Sequence, residues 1–158
     1  MRETDRFVRF HFPELSIRGA LVHLDDSYRA LCQGRHYPPA VSRMLGEMAS
    51  ITALMAGQLK HPGRLTFQMR DPGPISLLVM DCTDQLGLRG TAQWRPEHME
   101  ALSNPSTACL NSAGSGEESR LMMTLDAHQF STPWQSFVPL VGKSLADAFA
   151  HYLVQSEQ

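Results

Sequence analysis

Several side chains in this 158-residue chain have types and spacings that could do chemistry. His23, Asp25 and Asp26 put an imidazole beside two carboxylates, the makings of a general base and its orienting acid. Asp126 and His128 are two residues apart, so on a strand both would project from one face. Glu47 lies inside an apolar run, where an ionised carboxylate must find a partner or become neutral. Cys32, Cys82 and Cys109 are three thiols separated by wide gaps. Each set also has a plainer use. Asp26 is well placed to cap a short helix. No nucleophile motif such as G-x-S-x-G accompanies Asp126 and His128. A structural ion pair with Arg18, Arg43 or Arg89 accounts for Glu47. Zinc sites need thiolates or imidazoles in close pairs, and neither the cysteines nor the seven scattered histidines supply a pair at that spacing. The expectation is therefore three free structural thiols, no catalytic residue, no metal site and no enzyme. The alternative is a small-ligand-binding or enzymatic domain on the same scaffold, using Glu47, Asp126 and His128.

The element that must organise these residues is the stretch from Tyr37 to Lys60. Pro38 and Pro39 suit a helix start, where a missing N–H costs nothing. From Val41 onward Met44, Leu45, Met48, Ile51, Leu54, Met55 and Leu59 recur at helical spacing, with Gly46, Ala49, Ala53, Ala56 and Gly57 between them. Only Arg43, Glu47, Gln58 and Lys60 carry an obligatory polar head. A helix apolar nearly all round must be covered on several sides, which makes it the centre of the fold. Around it the alternation predicts strands at 7–12, 16–24, 64–70, 75–81 and 86–94, then 107–111, 120–126 and 135–140. Asp25 to Ser27 start a short helix ending at Gly34, and 143–155 reads as a last helix with Leu145, Ala146, Phe149, Tyr152 and Leu153 on one stripe. The Gly114-Ser115-Gly116 segment reads as a hairpin loop, because a phosphate cradle needs a strand before it and a helix after it. Strands, a buried helix and more strands without βαβ alternation give an α+β fold, with helices sandwiched between mostly antiparallel sheets.

Bulk properties bound the rest. The length suits one domain with a real core. Net charge is −2, so a nucleic-acid partner is not expected. Arg2, Arg6 and Arg9 alternate with Phe7, Val8 and Phe10, as in a strand with a solvated face. No apolar run resembles a secretory signal or a membrane span, so neither a membrane partner nor an exported location is expected, and the cytoplasm is the default.

Read together, Arg18 to Lys60, Gly73 to Asp81, Leu88 to Gly90 and Val138 to Gln158 resemble the N-terminal domain of the 33-kDa heat-shock chaperone family, the redox-switched bacterial holdases. The most specific patches are Tyr37-Pro38-Pro39 with Val41 and then Leu45-Gly46-Glu47, and the closing Ser156-Glu157-Gln158 after an amphipathic helix. The resemblance is poor between Pro96 and Trp134. It implies a client-binding and dimerisation platform, an ATP-independent holdase that keeps unfolding proteins from aggregating under oxidative stress, and homodimerisation on activation. It also implies a C-terminal zinc module, whose CxC and CxxC cysteines release zinc and form disulfides when oxidised. Nothing here matches those motifs, so residues 1–158 are expected to be a single domain carrying the platform without the sensor, with no cofactor of its own. In the three-strand meander, Leu65, Phe67, Met69, Ile75, Leu77, Val79, Leu88 and Trp94 are expected to face the helix. Leu78 and Met80 then fall on the opposite face among Thr66, Gln68 and Arg70, breaking its polarity, and are expected to mark the client surface.

Overall fold

The computed structural model describes residues 4–101 and 119–156. Expectations for the strand at 107–111, for Gly114-Ser115-Gly116 and for Cys109 lie outside them. Strands β1 (Arg6–Phe12) and β2 (Ile17–His23) form an antiparallel hairpin. Helices α1 (Asp26–Cys32) and α2 (Pro39–Ala56) follow. Then come β3 (Gly63–Arg70), β4 (Leu77–Thr83), β5 (Leu88–Gln93), β6 (Arg120–Ala127), β7 (Trp134–Val138) and α3 (Leu145–Ser156). The last five strands make one antiparallel sheet in the order β5-β4-β3-β6-β7, while among the described residues β1 and β2 pair only with each other. The fold is α+β, as the alternation of patterns predicts.

Helix α2 is the hub. It packs on β3, β4 and β5 on one side, on β2 on the other, and against α1 and α3. Val41, Leu45, Met48, Ala49 and Thr52 are wholly buried. The Thr52 hydroxyl satisfies itself by donating to the Met48 carbonyl at 2.6 Å, so the apolar seam carries no orphan donor. Against this seam β3 presents Leu65, Phe67 and Met69, and β6 presents Leu121 and Met123. Phe149 of α3 closes the layer with an edge-to-face contact on Phe67, centroids 4.9 Å apart. Ala146 and Leu153, expected on the buried stripe of that helix, are exposed; Ala148 takes the inward position.

The parity of β4 departs from expectation. Phe67 stands opposite Met80 and Met69 opposite Leu78, so odd residues of β3 share a face with even residues of β4. The six-residue connection 71–76 sets this register. Asp71 closes it by donating its N–H to the Ser76 carbonyl at 3.3 Å and accepting the Gly73 N–H at 2.5 Å. One residue more or fewer would turn the whole strand over. Leu78 and Met80 are therefore 0% exposed, in the core beneath α2. They are not surface residues. Met80 lies across Gly90 of β5, where a Cβ would come within 2.4 Å of its methyl group, so a side chain there would have to displace Met80.

Candidate binding surface

The hairpin β1–β2 keeps a set of apolar side chains together in water. Strand alternation sends Val8, Phe10 and Phe12 to one face, with Ile17 and Leu21 beside them on β2. All five are exposed, from 44% for Phe10 to 58% for Leu21. Phe10 and Phe12 touch edge to face at 5.7 Å, which makes them one surface and not isolated residues. Contiguous apolar patches of this kind are uncommon on soluble monomers and mark interaction sites. The inner face carries Phe7 and Val22, half-buried towards α2. Its anchor is Gly57, the residue after α2: a Cβ there would meet the Phe7 ring at 2.4 Å. Arg9 extends over the Phe7 ring, 5.4 Å from its centroid, and donates to the Gly57 carbonyl. The hairpin is thus pinned by one face while the other stays free.

Sequence reasoning missed this face, although its signal was present. Phe7 and Phe10 have opposite parity, so β1 is aromatic on both sides and requires two covers. On the five-stranded sheet, the apolar residues facing away from α2 are Leu77, Val79, Met122 and Phe137, interleaved with Thr66, Gln68 and Thr124. Only Phe137 of those four is highly exposed, at 61%. These residues stand where Leu78 and Met80 were expected.

Glu47 lines a groove of about 600 Å³ with Leu24, Tyr28, Arg43 and Ile51. No cation lies within 4 Å of its carboxylate among the described residues. The expected ion pair is thus not a contact. Burial raises its pKa, and the positive charge of Arg43, one turn earlier, partly offsets that. Arg89 is engaged with Asp81 at 3.1 Å, and Asp81 also accepts from the Thr66 hydroxyl at 2.7 Å. Asp126 pairs with Arg64 at 3.5 Å. His128 stands at the β6 end and donates its backbone N–H to the Pro62 carbonyl. Glu47 therefore lies on α2, apart from Asp126 in β6 and His128 just after it, and the three line no common groove among the described residues. Asp26 makes no side-chain hydrogen bond among the described residues, and the cap of α1 comes from Asp5. Its carboxylate accepts the N–H groups of Asp25 at 2.8 Å and Ser27 at 3.2 Å, and the Ser27 hydroxyl at 2.5 Å.

Residues 5–158 match the family described as Hsp33 protein. The chain belongs to the Hsp33 family. It is 36% identical to the 33 kDa chaperonin of Methylobacillus flagellatus over 159 residues, covering 100% of this chain and 51% of that protein. The 33 kDa chaperonin of Vibrio cholerae is 33% identical over 150 residues, covering 95% of this chain and 48% of the relative. The crystal structure of the Thermotoga maritima 33 kDa chaperonin superposes with a TM-score of 0.78 at 23% identity, covering 96% of this chain and 51% of that one. The chain thus spans about half the length of the Hsp33 relatives it matches. Zinc does not fit the described residues. Among them no three His, Cys, Asp or Glu side chains are grouped to hold a metal ion. Cys32 lies in α1 and Cys82 in β4, and burial pushes the Cys82 thiol up to about 11, away from the thiolate a metal requires.

Proposed function

We propose that this chain is the client-binding platform of an ATP-independent cytoplasmic holdase, which holds partly unfolded proteins and lowers their aggregation under oxidative stress. The observation that carries this reading is the contiguous exposed face of Val8, Phe10, Phe12, Ile17 and Leu21. A holdase needs apolar surface that takes many sequences, and such a face recognises side chains by area and not by pattern. The edges of the two-stranded hairpin, which no other described strand covers, add backbone donors and acceptors for an extended client segment or for a second copy in a homodimer. Membership of the Hsp33 family and the chaperonin names of the relatives support the same reading. No described helix is long and apolar enough to cross a membrane. The redox response belongs, on this reading, to a zinc-binding cysteine module of the full-length family protein and not to Cys32 or Cys82.

The test is light scattering of a heat-unfolding client with the chain and with a Val8→Ser, Phe12→Ser, Leu21→Ser variant. The parent suppresses scattering and the variant loses most of that suppression. Its Tm stays within about 4 °C, as three already exposed side chains contribute little to the core. Equal suppression by the two proteins would remove the hairpin face from the function.

A further inference from the structure

A second groove lies on the inner side of the same hairpin, beyond the end of α2. It encloses about 480 Å³, and its walls include Arg9, His11, Arg18 and Lys60 together with Phe10 and Leu59. No carboxylate is among its described lining residues. Neither the Arg18 nor the Lys60 side chain has a hydrogen bond or ion pair among the described residues, whose salt bridges lie elsewhere. Arg9 is held in place by the Gly57 carbonyl and the Phe7 ring and keeps further N–H donors free. This concentration of unpaired cations runs against a net charge of −2 for the whole chain, so it is a local field with a sign of its own.

We infer that this groove binds acidic segments of polypeptide clients and so gives the platform a preference for chains in which carboxylates are interspersed with apolar residues. The inference rests on the client-binding reading and names its substrate class. Guanidinium and ammonium groups spread over β1, β2 and the segment after α2 match carboxylates spread along an extended chain, and Leu59 takes an apolar residue between them. The wall at 57–60 is the C-terminal, negative end of α2, which favours the cations around it and disfavours any anion alike. The choice of carboxylates over one compact phosphate rests on the cations being spread over several elements and not converged on one point.

Fluorescence anisotropy of labelled decapeptides tests this, with four Glu set among Leu and Ser, against the same peptide carrying Gln. The Glu peptide binds about tenfold more tightly at about 50 mM salt, and the advantage shrinks at about 300 mM as the exposed charges are screened. Arg18→Glu with Lys60→Glu abolishes the advantage and leaves the affinity for the Gln peptide unchanged. Circular dichroism checks the fold, and Arg18→Gln with Lys60→Gln serves in its place if the charge reversal unfolds the chain. Equal binding of the two peptides, with aggregation suppression intact, overturns the groove and spares the client reading. Loss of suppression in the light-scattering assay overturns that reading separately. Inorganic polyphosphate that binds more tightly than the Glu peptide, and through Arg18 and Lys60, overturns the assignment to acidic polypeptide.

Discussion

At the scale of single residues the structure moves two side chains from the surface to the core and leaves a third without its partner. Met80 is wholly buried between α2 and Gly90. Met80→Ala therefore removes a packed side chain and leaves a cavity, costing about 2–5 kcal/mol; the shift of a urea unfolding midpoint measures it. Val79→Ala, one residue earlier and facing away from α2, costs less than half as much. Glu47 shows the cost of a carboxylate in an apolar groove. Its pKa is raised above the ordinary 4.5, chiefly by desolvation, so the folded state holds the proton more tightly than the unfolded one. The stability this gives is complete below about pH 4.5 and is lost as pH rises through the folded-state value. Glu47→Gln removes the penalty of ionisation. Its Tm at pH 7 is expected at or above the parent's, with the difference closing in acid; a lower Tm at pH 7 would restore a stabilising role to the charge.

At the scale of elements, helix α1 is set by something its own sequence does not contain. Helix α1 has Asp25 and Asp26 at its start, yet the N–H groups there are satisfied by Asp5, from the beginning of the chain. Asp5→Ala is expected to cost about 1–2 kcal/mol, since it uncaps α1 and unties it from β1. Asp26→Ala is expected to fall within about 0.5 kcal/mol. Thermal unfolding of both variants ranks them. Helix α2 begins at Pro39, where the prolines place it, because their fixed φ acts on the backbone locally. It ends at Ala56, before the Lys60 to which the periodicity extends it. The hairpin is the contrasting case. Its strands were legible from alternation, but the face that meets α2 was decided by the fit of Phe7 over Gly57.

At the scale of the molecule, Cys82 is buried with its thiol pushed up to about 11 by desolvation. It is a poor nucleophile at neutral pH. Aggregation suppression by this chain is therefore expected to be equal in dithiothreitol and after peroxide treatment, with Cys82 unlabelled by iodoacetamide until the protein is unfolded. Suppression only after peroxide would place a switch in this chain. The sequence by itself determined the α+β class, the central helix, the strand segments outside 102–118 and the family, because these rest on periodicity, on proline and glycine, and on side-chain patterns within short stretches. Only the tertiary structure decided which face of β4 and of the hairpin is inside; the inner face of β3, with Leu65, Phe67 and Met69, was legible from alternation. The period of a strand is two, so a single residue in the connection 71–76 exchanges core for surface without altering the alternation that reveals the strand. Partners distant in sequence were equally hidden, among them Asp5 with α1 and Arg9 with Gly57. Such pairs meet only when the chain has folded, and no local pattern records them.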